Sequence, residues 1–152
     1  MVASDVMMDV DWCVTESVEC AQPRSEPQQS RVDLSERVFQ RSGALRIRMP
    51  LGRYGATQMD MYVACPCTRL DIMRAVHEFY QRPASHDHVR VLRTRAGESD
   101  KHIDRVEELL RSGERVPVYA DFNGDQNTGF RGLRGDDASL TYDLLLGPSS
   151  LR

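Results

Sequence analysis

The chain has 152 residues, 40% of them hydrophobic and 28% charged, a composition that fits one globular domain with an appendage and excludes a disordered or membrane-embedded class. Its formal charge of −3, from 20 basic and 23 acidic residues, argues against nucleic acid as a partner, because such binders carry a basic excess to neutralise phosphates. No run reaches the roughly eighteen apolar residues that span a bilayer.

The first twenty residues hold five acids (Asp5, Asp9, Asp11, Glu16 and Glu19) and no Lys or Arg. The acids interrupt any signal-peptide start, so an intracellular location is expected, with Cys13, Cys20, Cys65 and Cys67 mainly as reduced thiols. Met8 and Trp12 supply apolar anchors in this acidic stretch. Ala21 to Arg31 has two prolines, two serines and no large apolar residue, which reads as a flexible linker. Asp33 to Gln40 allows a short helix, with Leu34 and Val38 four apart and Gly43 as its stop. Residues 1–42 are therefore expected to form a tail and linker, 43–148 an α+β domain, and 149–152 a short C-terminal tail.

Within the domain, Leu45-Arg46-Ile47-Arg48-Met49 alternates as a half-buried strand, and Met59 to Val63 follows as its hairpin partner. Four arginines between residues 41 and 53, with no acid among them, offer a basic surface onto which the acidic tail could fold. Thr68 with Asp71 forms a capping box for a helix over Arg69–Gln81, which Pro83 terminates. Val89 to Leu92 reads as a third strand. Ser99 then caps a second helix, with Ile103, Val106, Leu109 and Leu110 on one face and Gly113 as its stop. Val116 to Phe122, Phe130 to Leu133 and Ser139 to Leu146 complete a predicted order ββαβαβββ. These elements form a mixed, mostly antiparallel sheet of four to six strands with two helices on one face.

Several motifs carry possible chemistry. Cys65-Pro66-Cys67, with Cys13 and Cys20, could supply four sulfurs to zinc, although zinc knuckles normally separate paired cysteines by at least two residues. His77, His86 and His88 are the alternative ligands, and also the side chains on which an enzyme of unknown reaction would be built. Asp121, Asn123, Asp125 and Asn127 begin like a calcium loop, but Gln126 and Gly132 occupy the positions that require Gly and Glu. Arg134-Gly135-Asp136 spells an adhesion tripeptide in a predicted turn. No phosphate loop, nucleophile elbow or zinc-protease motif is present.

The segment Thr68-Arg-Leu-Asp-Ile-Met-Arg-Ala-Val-His-Glu-Phe-Tyr-Gln-Arg-Pro83, with a second helix and Phe130-Arg-Gly-Leu133 after it, resembles a family of uncharacterised proteins of large DNA viruses of amoebae, which has fungal relatives. The resemblance covers residues 57–147. It implies a virus-encoded protein with no assigned reaction, in the infected cell or the particle, and it carries over no catalytic residues. The hairpin–helix–strand opening is similar to the β-grasp arrangement of ubiquitin-like domains. The ending Gly147-Pro-Ser-Ser-Leu-Arg152 lacks the Gly-Gly of conjugated members.

The leading expectation is thus a non-enzymatic interaction or structural domain that binds protein, or itself, through a sheet edge or its tail. Trp12, Met8, Arg46 and Arg48 are its expected contact residues. A zinc-stabilised module using Cys65 and Cys67 is the alternative.

Overall fold

A computed structural model describes residues 4–23, 33–52, 57–96 and 100–148. The alternation at Leu45–Met49 belongs to a longer strand, β4 (Arg37–Leu51), which pairs antiparallel with β5 (Thr57–Thr68). Leu45, Ile47, Met49 and Leu51 are buried on one face, while Arg46 and Arg48 alternate onto the other. The expected helix at Asp33–Gln40 does not form. Asp33 instead turns the chain by accepting from the Ser35 amide at 3.0 Å, and Phe39 enters the core from β4 opposite Cys67. Strand pairing overrides a helical spacing that rests on only Leu34 and Val38.

Helix α1 (Arg69–Tyr80) carries the expected capping box. The Asp71 amide donates to Thr68 Oγ1 at 3.2 Å, and the Thr68 amide donates to Asp71 Oδ2 at 2.9 Å. Ile72, Met73, Val76, Phe79 and Tyr80 are its buried face. Beyond Pro83 the chain departs from the predicted order. Val89–Leu92 lies in a helix, α2 (His86–Ala96), in which Val89 and Leu92 are buried three apart and Val91 is exposed. Ser85 and His88 cap its start, with the His88 amide donating to Ser85 Oγ at 3.4 Å and the Ser85 amide to His88 Nδ1 at 3.0 Å. Helix α3 (Lys101–Ser112) buries Ile103, Val106 and Leu109 and ends at Gly113, as expected. Its cap is Asp100, whose Oδ1 accepts from the amides of His102 and Ile103, whereas Ser99 lies outside the described residues.

The predicted strand over Val116–Phe122 is also corrected. Val118 makes one bridge to Pro83, and the chain then coils into α4 (Tyr119–Asn123). The Val118 amide donates to Asp121 Oδ2 at 2.7 Å, which starts that turn of helix. Strands β6 (Gly129–Asp136) and β7 (Thr141–Gly147) close the chain as an antiparallel pair, and β7 runs parallel to β4.

The N-terminal segment is part of this sheet, not a tail. Ser4–Val6 (β1) and Val10–Cys13 (β2) both pair with β6, and β2 also pairs with Gln22–Pro23 (β3). Val10, Trp12, Cys13 and Val14 are buried. Gly132 in β6 has φ of +105°, and any side chain there would collide with Met8 Sδ and the Val6 carbonyl. The Phe130-Arg-Gly-Leu133 stretch is thereby shaped to receive β1. Residues 24–32 and 149–152 lie outside the described residues, so most of the expected linker and the C-terminal tail do too.

The fold class is α+β, with a mixed, mostly antiparallel sheet in the order β3-β2-β6-β7-β4-β5, and β1 beside β6. Its element order is not ββαβαβββ, because among the described residues four α-helices run consecutively between β5 and β6. Among the described residues no helix is long and apolar enough to cross a membrane.

Candidate functional site: the β5 edge and its dithiol

Trp12 is 1% exposed, so it is not the docking anchor expected of it. Its Nε1 donates to the carbonyls of Glu16 at 3.2 Å and Ser17 at 3.1 Å, and its ring lies 5.7 Å from that of Phe130. Alternation in β2 turns Val10 and Trp12 inward and Asp11 the other way, while Asp5 and Asp9 are exposed beside it. Those acids meet arginines from elsewhere than residues 41–53: Asp5 lies 2.7 Å from Arg134, and Asp9 lies 3.0 Å from Arg69. The Arg134 guanidinium holds the Asp5 carboxyl below its ordinary range. Met8 is 37% exposed and packs its sulfur over Gly132.

Arg46 and Arg48 stand on the outer face of β4. Arg46 pairs with Asp60 across the hairpin at 2.7 Å, which raises its pKa, and Arg48 Nε is 3.9 Å from Asp143. Tyr62, directly opposite Arg46 in the register, is 63% exposed. Its strand β5 is the terminal member of the sheet, hydrogen-bonded to β4 on one side only among the described residues. Along that edge Gln58, Asp60, Tyr62 and Ala64 are exposed, and Met59 and Met61 are half-buried. Among the described residues the opposite edge is β3, two residues long and ending in Pro23. A two-residue strand is a blunted edge, whereas β5, whose Pro66 lies near its end, presents Thr57–Cys65 as a longer row without lysine or an inward charge, a template for another chain.

At the end of β5, Cys65 and Cys67 project from the same face with their sulfurs 3.7 Å apart. Cys65 is half-buried and Cys67 buried. Burial, then the hydrogen bond and charge of Cys65, push the Cys67 thiol up to about 12. Cys13 Sγ is 2.9 Å from Thr15 Oγ1, and Cys20 is exposed. Among the described residues no three His, Cys, Asp or Glu side chains come together as a metal-binding group, so the expected four-sulfur shell is not assembled.

The histidines are dispersed. His77 Nδ1 is 2.9 Å from the Val14 carbonyl, His86 is exposed, and His88 lies between Ser85 and the Tyr119 hydroxyl, 2.9 Å from its Nε2. An open cleft of about 530 Å³ is lined instead by His102, which the sequence did not single out, with Arg105, Asp121, Thr15 and Thr128. Its charges are engaged. Asp121 accepts from Arg115 at 2.7 and 2.9 Å, and Arg105 pairs with Glu114 at 3.3 Å. The calcium-like oxygens also diverge, since Asn123 Oδ1 accepts from the Gly52 amide at 2.8 Å while Asp121 faces Arg115. Arg134-Gly135-Asp136 lies in β6 rather than a turn.

The chain matches no protein-family model, no curated protein and no solved structure.

Proposed function

We propose that the protein is a non-enzymatic interaction domain that pairs strand to strand through the free edge of β5, with a second copy of the chain as the occupant. The observation that carries this reading is a 12-residue strand that, among the described residues, has a neighbour on one side only, while the opposite described edge is two residues long. Edge pairing satisfies backbone donors and acceptors that otherwise face water, and the side chains on alternate positions then give specificity.

Self-complementarity supports a second copy over an unrelated strand. A two-fold axis through Met61 sets Tyr62 of each copy opposite Asp60 of the other, so the ring and hydroxyl meet the Arg46–Asp60 pair. Tyrosine and arginine are the residue types that dominate interface energetics. The same axis brings Met59, Met61 and Val63 of both copies onto one continued inner face, completing the burial of the half-covered methionines. In this reading Arg46 is a contact residue, and Tyr62 takes the place of Trp12.

Sedimentation velocity of the full chain over rising concentration tests this. A dimer is expected, with β5 amides exchanging more slowly as it forms. Tyr62→Ala should shift the equilibrium to monomer while leaving stability within about 0.5 kcal/mol. A monomer at every soluble concentration, or a dimer indifferent to Tyr62→Ala whose β5 amides exchange at an unchanged rate, would sink the proposal.

A further inference from the structure

We propose that Cys65 and Cys67 form a two-sulfur site for a single soft monovalent cation, copper(I). This stands apart from the edge-pairing reading and does not depend on it. Two thiol sulfurs on one face of β5 are 3.7 Å apart. With metal–sulfur bonds of about 2.3 Å, that separation already allows one ion to touch both, at an S–metal–S angle of roughly 107°. Rotating the side chains to open the pair by about 0.9 Å gives a linear arrangement at the same bond length.

Ligand number decides which ion. Structural zinc takes four protein ligands and catalytic zinc three. Among the described residues no third His, Cys, Asp or Glu joins the two sulfurs. A closed-shell soft cation is satisfied by two thiolates, and thiolate is the ligand that selects copper(I) over harder ions. The surroundings agree with that choice. Cys67 belongs to the hydrophobic core cluster with Phe39 and Val63, and Cys65 packs against that cluster. An apolar shell disfavours an ion that must keep water ligands, while half-buried Cys65 leaves a way in.

Charge and proton balance are simple. Two S–H bonds release two protons to solvent, two Cu–S bonds form, and copper remains copper(I), so no electron moves. The product carries one net negative charge beside the N-terminus of α1, whose dipole favours an anion, although Asp71 in the first turn opposes it. The high pKa of Cys67 is no obstacle, because a coordinating metal deprotonates a thiol outright.

The test uses the full chain, reduced and anaerobic, titrated with copper(I) against a colorimetric copper(I) chelator. The protein should withdraw one equivalent, and Cys65→Ser should withdraw none at the same chelator concentration. The Cys13→Ser/Cys20→Ser double variant should behave as the parent. X-ray absorption of the loaded parent protein, which needs no variant, should show sulfur neighbours only, two per copper. Circular dichroism checks that each variant keeps its fold, and the absorption spectrum decides the matter if one does not. Undiminished uptake by Cys65→Ser, loss in the Cys13/Cys20 variant, nitrogen or oxygen ligands at the metal, or no copper taken from the chelator would each overturn the proposal.

Discussion

Asn123 joins three parts of the chain through one side chain. It is fully buried, its Oδ1 accepts from the Gly52 amide, and its Nδ2 donates to the carbonyls of Asn127 at 3.1 Å and Pro50 at 3.3 Å. Tyr80 adds a second donor to the same Pro50 carbonyl, at 2.6 Å. Removing the amide leaves the Gly52 N–H without its partner, so Asn123→Ala should cost about 2–3 kcal/mol in a denaturant titration. A loss under about 0.5 kcal/mol, typical of a surface change, would show that water replaces the amide. At Cys67 the thiol is held protonated in the fold to about pH 12. The unfolded chain releases that proton near pH 8.5. The Cys67 contribution is therefore complete below that value and lost as pH rises towards the folded one. The stability of metal-free protein against denaturant between about pH 8.5 and 10, below the ordinary tyrosine range, should fall with pH more steeply in the parent than in Cys67→Ala. Equal slopes would contradict the assignment.

Single elements show where local pattern and tertiary context compete. The capping box at Thr68 and Asp71 and the left-handed Gly113 were legible because caps are local chemistry, satisfied within a few residues of the chain. The run Val89-Arg90-Val91-Leu92 was misread because four residues fit either period. What makes it helical is the Ser85–His88 cap and the packing of Arg93 between Asp104 and Glu107 of α3. The two readings differ in a measurable way. In the helix Leu92 is buried and Val91 is 49% exposed, so Leu92→Ala should cost about 2–5 kcal/mol and Val91→Ala little. Comparable losses at both positions would disprove the helical face. A similar competition decides Val116–Phe122. The exposure of Val116 and the carboxylate of Asp121 below Val118 break an alternation that reads as a strand. The long edge of β5 belongs to this scale too, since no residue in it announces that the sheet ends there.

At the scale of the whole molecule, the N-terminal segment closes the core. Met7, Val10, Trp12 and Val14 share one hydrophobic cluster with Phe130, Leu133 and the buried face of α1. Trp12→Ala should therefore cost about 3–5 kcal/mol by thermal or chemical unfolding, as a large core truncation does. Retention of full stability in that variant would return the segment to the status of a tail. The surface ion pair between Asp5 and Arg134 adds little by comparison, because water and salt screen exposed charges.

The sequence by itself determined the α+β class, the β4–β5 hairpin, helices α1 and α3 with their terminators, and the closing strands. Each of these is written in a period or a cap that neighbours in the chain can satisfy. Only the tertiary structure decided that Trp12 is core and, among the described residues, that four α-helices run in succession, that β5 is an open edge, and that Cys65 and Cys67 stand without Cys13 and Cys20 in a metal group. Those facts depend on pairings such as Trp12 with Phe130 and Ser4 with Gly135. Their sequence separation is so large that no local pattern encodes them, and only the burial of a shared core selects them.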